Sequence, residues 1–142
     1  MRRLFIMRKD LNMSPGKLAS QVAHCAEAYW TNKIKQNVRN IGNGCGYRSI
    51  VGLRTDEYEE YLSGRFVKTI CEARNKSHLL KAKETAEEMG LFECADFGLI
   101  YDACFTELTP EEEDGTTLTG IWFRPLPDEA AHYISKKYQL YR

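Results

Sequence analysis

The feature that most restricts this chain is its opening: an unbroken apolar run, Leu4-Phe5-Ile6-Met7, followed after a short loop by the pair Ser14-Pro15. A short continuous apolar run fits a strand buried on both faces. A serine hydroxyl can cap free amides, and a proline at the first helical position needs no donor, so Ser14-Pro15 reads as a helix start. That helix is expected from Pro15 to about Trp30. A strand covered on both sides and followed by a helix points to a layered α/β fold.

The remaining pattern extends this reading. Thr31 to Tyr47 is rich in Asn and Gly and reads as irregular. A short helix over 56–62, capped by Thr55, follows, then a strand over Phe66–Cys71 and a helix from Asn75 or Ser77 to about Met89, stopped by Gly90. Two more strands are expected, Phe92–Ile100 with an interruption at Gly98 and Thr116–Phe123, before a last helix from Asp128 to about Lys137. We expect one α/β domain over residues 1–142. Its core is a small four-stranded mixed β-sheet flanked by helices on both faces, with an irregular or inserted segment at about 31–64.

Lys plus Arg number 20 and Asp plus Glu number 20, so the formal charge is zero. This excludes a protein that coats nucleic acid through a global cationic field. Any polyanion site must be local. Lys33, Lys35, Arg39 and Arg48 are the candidate patch, with a plain surface loop as the simpler reading. No apolar run approaches the ~20 residues of a membrane span. The apolar stretch after Arg2-Arg3 breaks at Arg8-Lys9-Asp10, too early for a signal peptide, so a cytoplasmic location is expected.

Cys25, Cys45, Cys71, Cys94 and Cys104 form an odd set with no C-x-x-C pair. That argues against a disulfide framework or a zinc site, and most are expected to be buried thiols. The run Glu111-Glu112-Glu113-Asp114 reads as a solvated loop. Tyr29, Trp30, Trp122 and Tyr138 suit either the core or an interface, the core being the commoner fate.

Two stretches carry chemistry. At roughly 100° per residue, Lys17, Gln21 and His24 fall on one stripe of the first helix. Leu18, Val22, Cys25, Ala26 and Tyr29 fall on the side expected to face the core. A lysine in the first turn opposes the helix dipole unless an anion is near, so this end suits a phosphate or carboxylate. A solvated helix face is the plain alternative. The second stretch, Tyr101-Asp102-Ala103-Cys104-Phe105-Thr106, follows an apolar strand. A carboxylate at a strand end suits a cleft and can orient a hydroxyl, a water or His24. Thr106, Thr109, Thr116, Thr117 and Thr119 place hydroxyls nearby. A simple turn is the plain alternative here.

Together these stretches resemble a known family. Arg8-x-Asp10-Leu11-x-Met13-x-x-Gly16-Lys17-Leu18-Ala19-x-Gln21-x-x-His24 is similar to the first signature of the type 2 peptidyl-tRNA hydrolases. Asp102-Ala103-x-x-Thr106 resembles the second, and Thr117 with Gly120-Ile121 resembles the third. The likeness covers most of the chain outside 31–64. It implies a small mixed sheet with helices on both sides. It also implies hydrolysis, with no metal and no cofactor, of the ester linking a peptide to the terminal ribose of tRNA. By the same likeness Lys17, His24, Asp102, Thr106 and Thr117 are the catalytic set, and Gln21, Lys68, Asp10 and Gly16 serve substrate binding. The acceptor end of peptidyl-tRNA is the implied partner, no membrane is involved, and a homodimer is common in the family.

The chain also departs from the family. Gly-Arg-Thr-Gln usually follows Asp-Ala, whereas this chain has Cys104-Phe105-Thr106-Glu107. Glu72 stands where a basic residue is usual, and the spacing from Thr106 to Thr117 is longer. Each change weakens attraction for phosphates. The alternative function is a non-catalytic or altered-substrate member of the same fold that binds a protein partner or a small anionic ligand.

Overall fold

The structure is a computed structural model that describes residues 1–142. Strand β1 (Arg3–Arg8) leads into helix α1 (Pro15–Gln36), followed by the short strands β2 (Val38–Asn40) and β3 (Tyr47–Ser49). A short π-type helix at Glu57–Leu62 precedes β4 (Lys68–Ala73) and α2 (Lys76–Glu88). The chain ends with β5 (Phe97–Asp102), β6 (Thr117–Phe123), α3 (Asp128–Ser135) and β7 (Gln139–Leu140). Five strands form one sheet in the order β5-β6-β1-β4-β7, and β2 pairs with β3 in a separate ribbon. β1 and β4 run parallel, and the other neighbours run antiparallel, so the sheet is mixed.

The apolar opening explains the layers. Leu4 and Ile6 of β1 pack with Leu79, Ala82 and Ala86 of α2 and with Ala131 and Ile134 of α3. Phe5 and Met7 turn the other way, onto Cys25 and Tyr29 of α1 and Trp122 of β6. A strand with apolar residues on both faces is thus covered on both, as the side-chain alternation of a central strand requires. Gly98 is an interruption with a steric reason: a Cβ there would lie 2.6 Å from the Trp122 ring. Arg3 is fully buried and donates to the carbonyls of Phe123, Ala26 and Cys25, tying α1 to β6. No helix is long and apolar enough to cross a membrane.

The sheet has five strands rather than four. The additional one, β7, is two exposed residues pairing with Cys71 and Glu72 on β4, too short to leave a periodic pattern. α1 continues past Trp30 to Gln36 because other parts of the chain hold it. Lys33 donates to Glu57 (3.0 Å) and to the Gly52 carbonyl (2.9 Å), and Ser49 donates to the Ile34 carbonyl (2.6 Å). These contacts override the weak helix propensity of the Asn-containing stretch. β5 begins at Phe97 because Asp96 closes a turn by accepting from the Phe92 amide and from Arg124. Cys25 and Cys71 are buried, but Cys45 and Cys94 lie exposed in loops and Cys104 is intermediate, so burial is not the fate of most thiols; all five are free. Tyr29, Trp122 and Tyr138 are core residues.

Candidate active site

β1 and β5 end, and β6 begins, at one edge of the sheet, where α1 also starts. Ser14 caps α1, its hydroxyl accepting from the Lys17 amide at 3.3 Å, with Pro15 in the first turn. The Ser14 amide and hydroxyl in turn donate to the Glu107 carboxylate at 2.6 and 2.5 Å. Those bonds hold the Glu107 carboxyl below the ordinary glutamate range. The anion that the helix start invites is therefore supplied by the chain itself, at a position where the family usually has an amide.

In the first turn of α1, the Lys17 ammonium donates to Asp102 Oδ1 at 2.8 Å and to Thr106 Oγ1 at 3.2 Å. The Lys17 and Asp102 side chains are only 14% and 11% exposed, which shields the pair from solvent. Gln21, one helical turn further, is buried and donates to the same Asp102 oxygen at 3.0 Å. The Cys104 amide donates to Asp102 Oδ2 at 3.0 Å, closing a tight turn in which Cys104 has φ +59°. Burial pushes the Asp102 carboxyl up, but hydrogen bonds from Lys17 and Cys104, the Lys17 charge and the Gln21 amide outweigh it. Asp102 is held below the usual carboxylate range and stays ionised.

Thr119 completes this row. Its hydroxyl donates to Gln21 Oε1 at 2.7 Å. The β5–β6 register slips between Ile100 and Tyr101, whose partners are Gly120 and Leu118, so Thr119 is the extra residue of a bulge. Bulges re-aim side chains at sheet ends, and here one turns a hydroxyl onto Gln21 of α1. Gly120 sits beside it because a Cβ there would meet Met7 at 2.7 Å. The run Thr119-Gly120 inside a strand was the available signal, since glycine in a strand interior often marks a bulge.

The other expected site residues are placed differently. Thr117 is buried, donates to the Thr109 carbonyl and accepts from the Glu111 amide, so its hydroxyl shapes the 109–111 turn. His24 is exposed and makes no hydrogen bond, so no Asp102–His24 relay is formed. Gly16 lies open in the first turn, where an added Cβ would touch nothing. Asp10 grips the buried Arg8, which also bonds Glu111 (2.6 and 3.0 Å) and the Leu118 carbonyl. The acidic run is thus not simply solvated: Glu111 clamps β1 and Glu112 pairs with Lys76. Lys68 lies apart from this cluster. It pairs in register with Arg3, at the opposite end of β1 from Arg8, and bonds the Phe66 carbonyl. At about 3.3 Å per residue that separates Lys68 from the site end of the sheet by roughly 17 Å. No three or more His, Cys, Asp or Glu side chains converge as a metal-ligand set.

Comparisons with known proteins bear on the family and the fold. Proteins named peptidyl-tRNA hydrolase from Thermoplasma acidophilum and Saccharolobus solfataricus are 26% identical over 134 residues and 27% identical over 133 residues. The alignments cover 94% and 93% of this chain and 92% of each relative. A solved structure of a protein of unknown function from Agrobacterium tumefaciens shares the fold, with a TM-score of 0.54 at 12% identity over 99% of this chain and 97% of that one. The family described as peptidyl-tRNA hydrolase PTH2 matches residues 1–141, a span that includes every side chain of the Lys17–Asp102 cluster. This chain belongs to the peptidyl-tRNA hydrolase PTH2 family.

Proposed function

We propose that this protein hydrolyses peptidyl-tRNA at the ester joining the peptide to the terminal ribose, with Lys17, Asp102 and Thr106 as its catalytic residues at the acceptor end. Family membership supports the reaction. The observation that carries the site is the Lys17 ammonium fixed between Asp102 and Thr106. An ammonium has three N–H donors, and two are engaged here. The third is free to meet the oxygen of an ester carbonyl and to stabilise the charge that develops there. Thr106 accepts from Lys17, which leaves its own hydroxyl proton to donate to the departing ribose oxygen.

In the reaction a water oxygen bonds to the acyl carbon and the bond from that carbon to the ribose oxygen breaks. One proton of the water ends on the ribose oxygen, and the released peptide carries the carboxylate once its own proton is lost to solvent. Asp102 is a weak base because its carboxyl is held low, so it works by position: it anchors Lys17 and orients the water. Gln21, locked by Thr119, sets the angle of Asp102. His24 is a substrate contact on the exposed stripe beyond Gln21, and Thr117 supports the turn. Phe105, 92% exposed beside Thr106, offers a flat face to a terminal base in place of the family's usual cation.

No feature of the site favours a non-catalytic binder. The same reading places the protein in the cytoplasm, where its substrate is found, and a homodimer is checked by its mass in solution. The function is tested by hydrolysis of an N-blocked aminoacyl-tRNA by the purified protein at two salt concentrations. Release of free tRNA that slows at the higher salt supports the reading. No release at either concentration would refute it.

A further inference from the structure

We infer that the β2–β3 ribbon is a docking surface for the phosphate backbone of the tRNA body, separate from the site that holds the ester. The inference rests on the reading of this protein as one that acts on tRNA. The sequence between Glu27 and Asp56 contains no Asp or Glu but five cations, Lys33, Lys35, Arg39, Arg48 and Arg54. Because the whole chain is neutral, everything outside that stretch carries a net −5. The cationic field missing from the molecule as a whole is concentrated in one segment.

The structure separates the cations that stabilise the fold from those that do not. Lys33 pairs with Glu57, and Arg54 pairs with Asp56. Lys35, Arg39 and Arg48 are exposed and have no carboxylate partner. Arg39 and Arg48 are also direct cross-strand partners. Like charges facing each other across a strand pair destabilise it, so this pairing works against the ribbon until an anion lies between or beside them. The two arginines line one concavity of about 650 Å³ together with Asn37, Asn40 and Ile50. Guanidinium forks match phosphate oxygens, and the asparagine amides can bond ribose hydroxyls. Tyr47, 73% exposed on β3, adds a stacking face.

The placement suits a long anionic substrate. From Lys17 to Gln36 at the end of α1, the helix rises roughly 28 Å. At about 3.4 Å per stacked step, that is on the order of eight nucleotides from the ester. A ligand that reaches both ends of α1 must be a polymer. A polynucleotide whose 3′ end lies at Lys17 meets the requirement, and a small anion does not.

The test uses deacylated tRNA, which carries no ester, with binding followed by fluorescence anisotropy at about 50 and 200 mM salt. For the Arg39→Gln/Arg48→Gln protein we expect about tenfold weaker binding at the lower salt. The slope of log affinity against log salt should flatten by roughly 1.5, two phosphate contacts having been lost. Lys35→Gln, which lies outside the ribbon's own hydrogen bonds, should flatten the slope in the same direction by somewhat less than 1. Equal affinity and equal slope for wild type and both variants overturns the inference. Loss of binding to phosphatidylserine vesicles with tRNA binding unchanged also overturns it. Hydrolysis of an N-blocked aminoacyl-adenosine, too short to reach the ribbon, reports on the ester site alone. Its failure counts against the functional reading, while the tRNA-binding result still decides the ribbon.

Discussion

The two ends of α1 handle charge in opposite ways. At its start, nearly every ionised group has a partner: Lys17 with Asp102, Arg8 with Asp10 and Glu111, Lys76 with Glu112, and Glu107 with the helix cap. At its far end, Arg39 and Arg48 face each other with no carboxylate in reach. Paired charges contribute little net attraction for a distant ligand, but they fix atoms in place. Unpaired charges fix nothing and attract polyanions. One helix thus joins a precise, electrically quiet site to an imprecise, attractive one.

The largest effect should come from breaking the quiet end at its reacting group. Lys17→Ala should lower kcat on N-blocked aminoacyl-tRNA by about 10²–10³, the usual cost of losing one oxyanion donor, with tRNA affinity nearly intact. Affinity falling as much as kcat would mean that the two ends are not distinct. Next, Arg8→Ala should destabilise the fold by about 3 kcal/mol in urea titrations, because Arg8 is buried and binds two carboxylates and a carbonyl. Thr119→Val should cost about 1–2 kcal/mol by leaving the buried Gln21 oxygen without its donor. Smallest, Arg39→Gln alone should leave stability unchanged or raise it by a few tenths of a kcal/mol as the like-charge pairing is relieved.

Acid separates the ends as well. Asp102, Glu107 and Glu111 all have folded-state pKa values below their ordinary values. Their contribution to stability is therefore fully present above the unfolded values of about 4 and is lost as pH falls through the lower folded ones. Hydrogen exchange measured down the acid limb should show protection failing first around the turns at Asp102 and Glu111. The ribbon, with no carboxylate between Glu27 and Asp56, should show no titration of its own.

Much of the quiet end was legible in the sequence, because it is built from strong local signals. Ser14-Pro15 starts a helix, Leu4–Met7 forms a strand, and a 3.6-residue period puts Lys17 and Gln21 on one side. Three features were harder to read, each for a physical reason. Thr119 reaches Gln21 only because a bulge rotates it, and a bulge depends on the partner strand. Glu111 reads as one of several solvated acids until β1 brings Arg8 to it across a long stretch of chain. Lys68 reads as a site residue by likeness, yet strand register puts it at the opposite end of the sheet from Asp102. The ribbon was hidden because Asn and Gly favour loops, and its strands are only three residues each.

The central claim is that Asp102 and Lys17 act on the ester as one unit. A double-mutant cycle with Lys17→Ala and Asp102→Asn, read as single-turnover hydrolysis of N-blocked aminoacyl-tRNA, tests it most directly. The account predicts that each substitution slows the reaction and that the double variant is hardly slower than Lys17→Ala alone, as for groups working as one unit. Fully additive losses, or a Lys17→Ala protein that turns over like wild type, would contradict it.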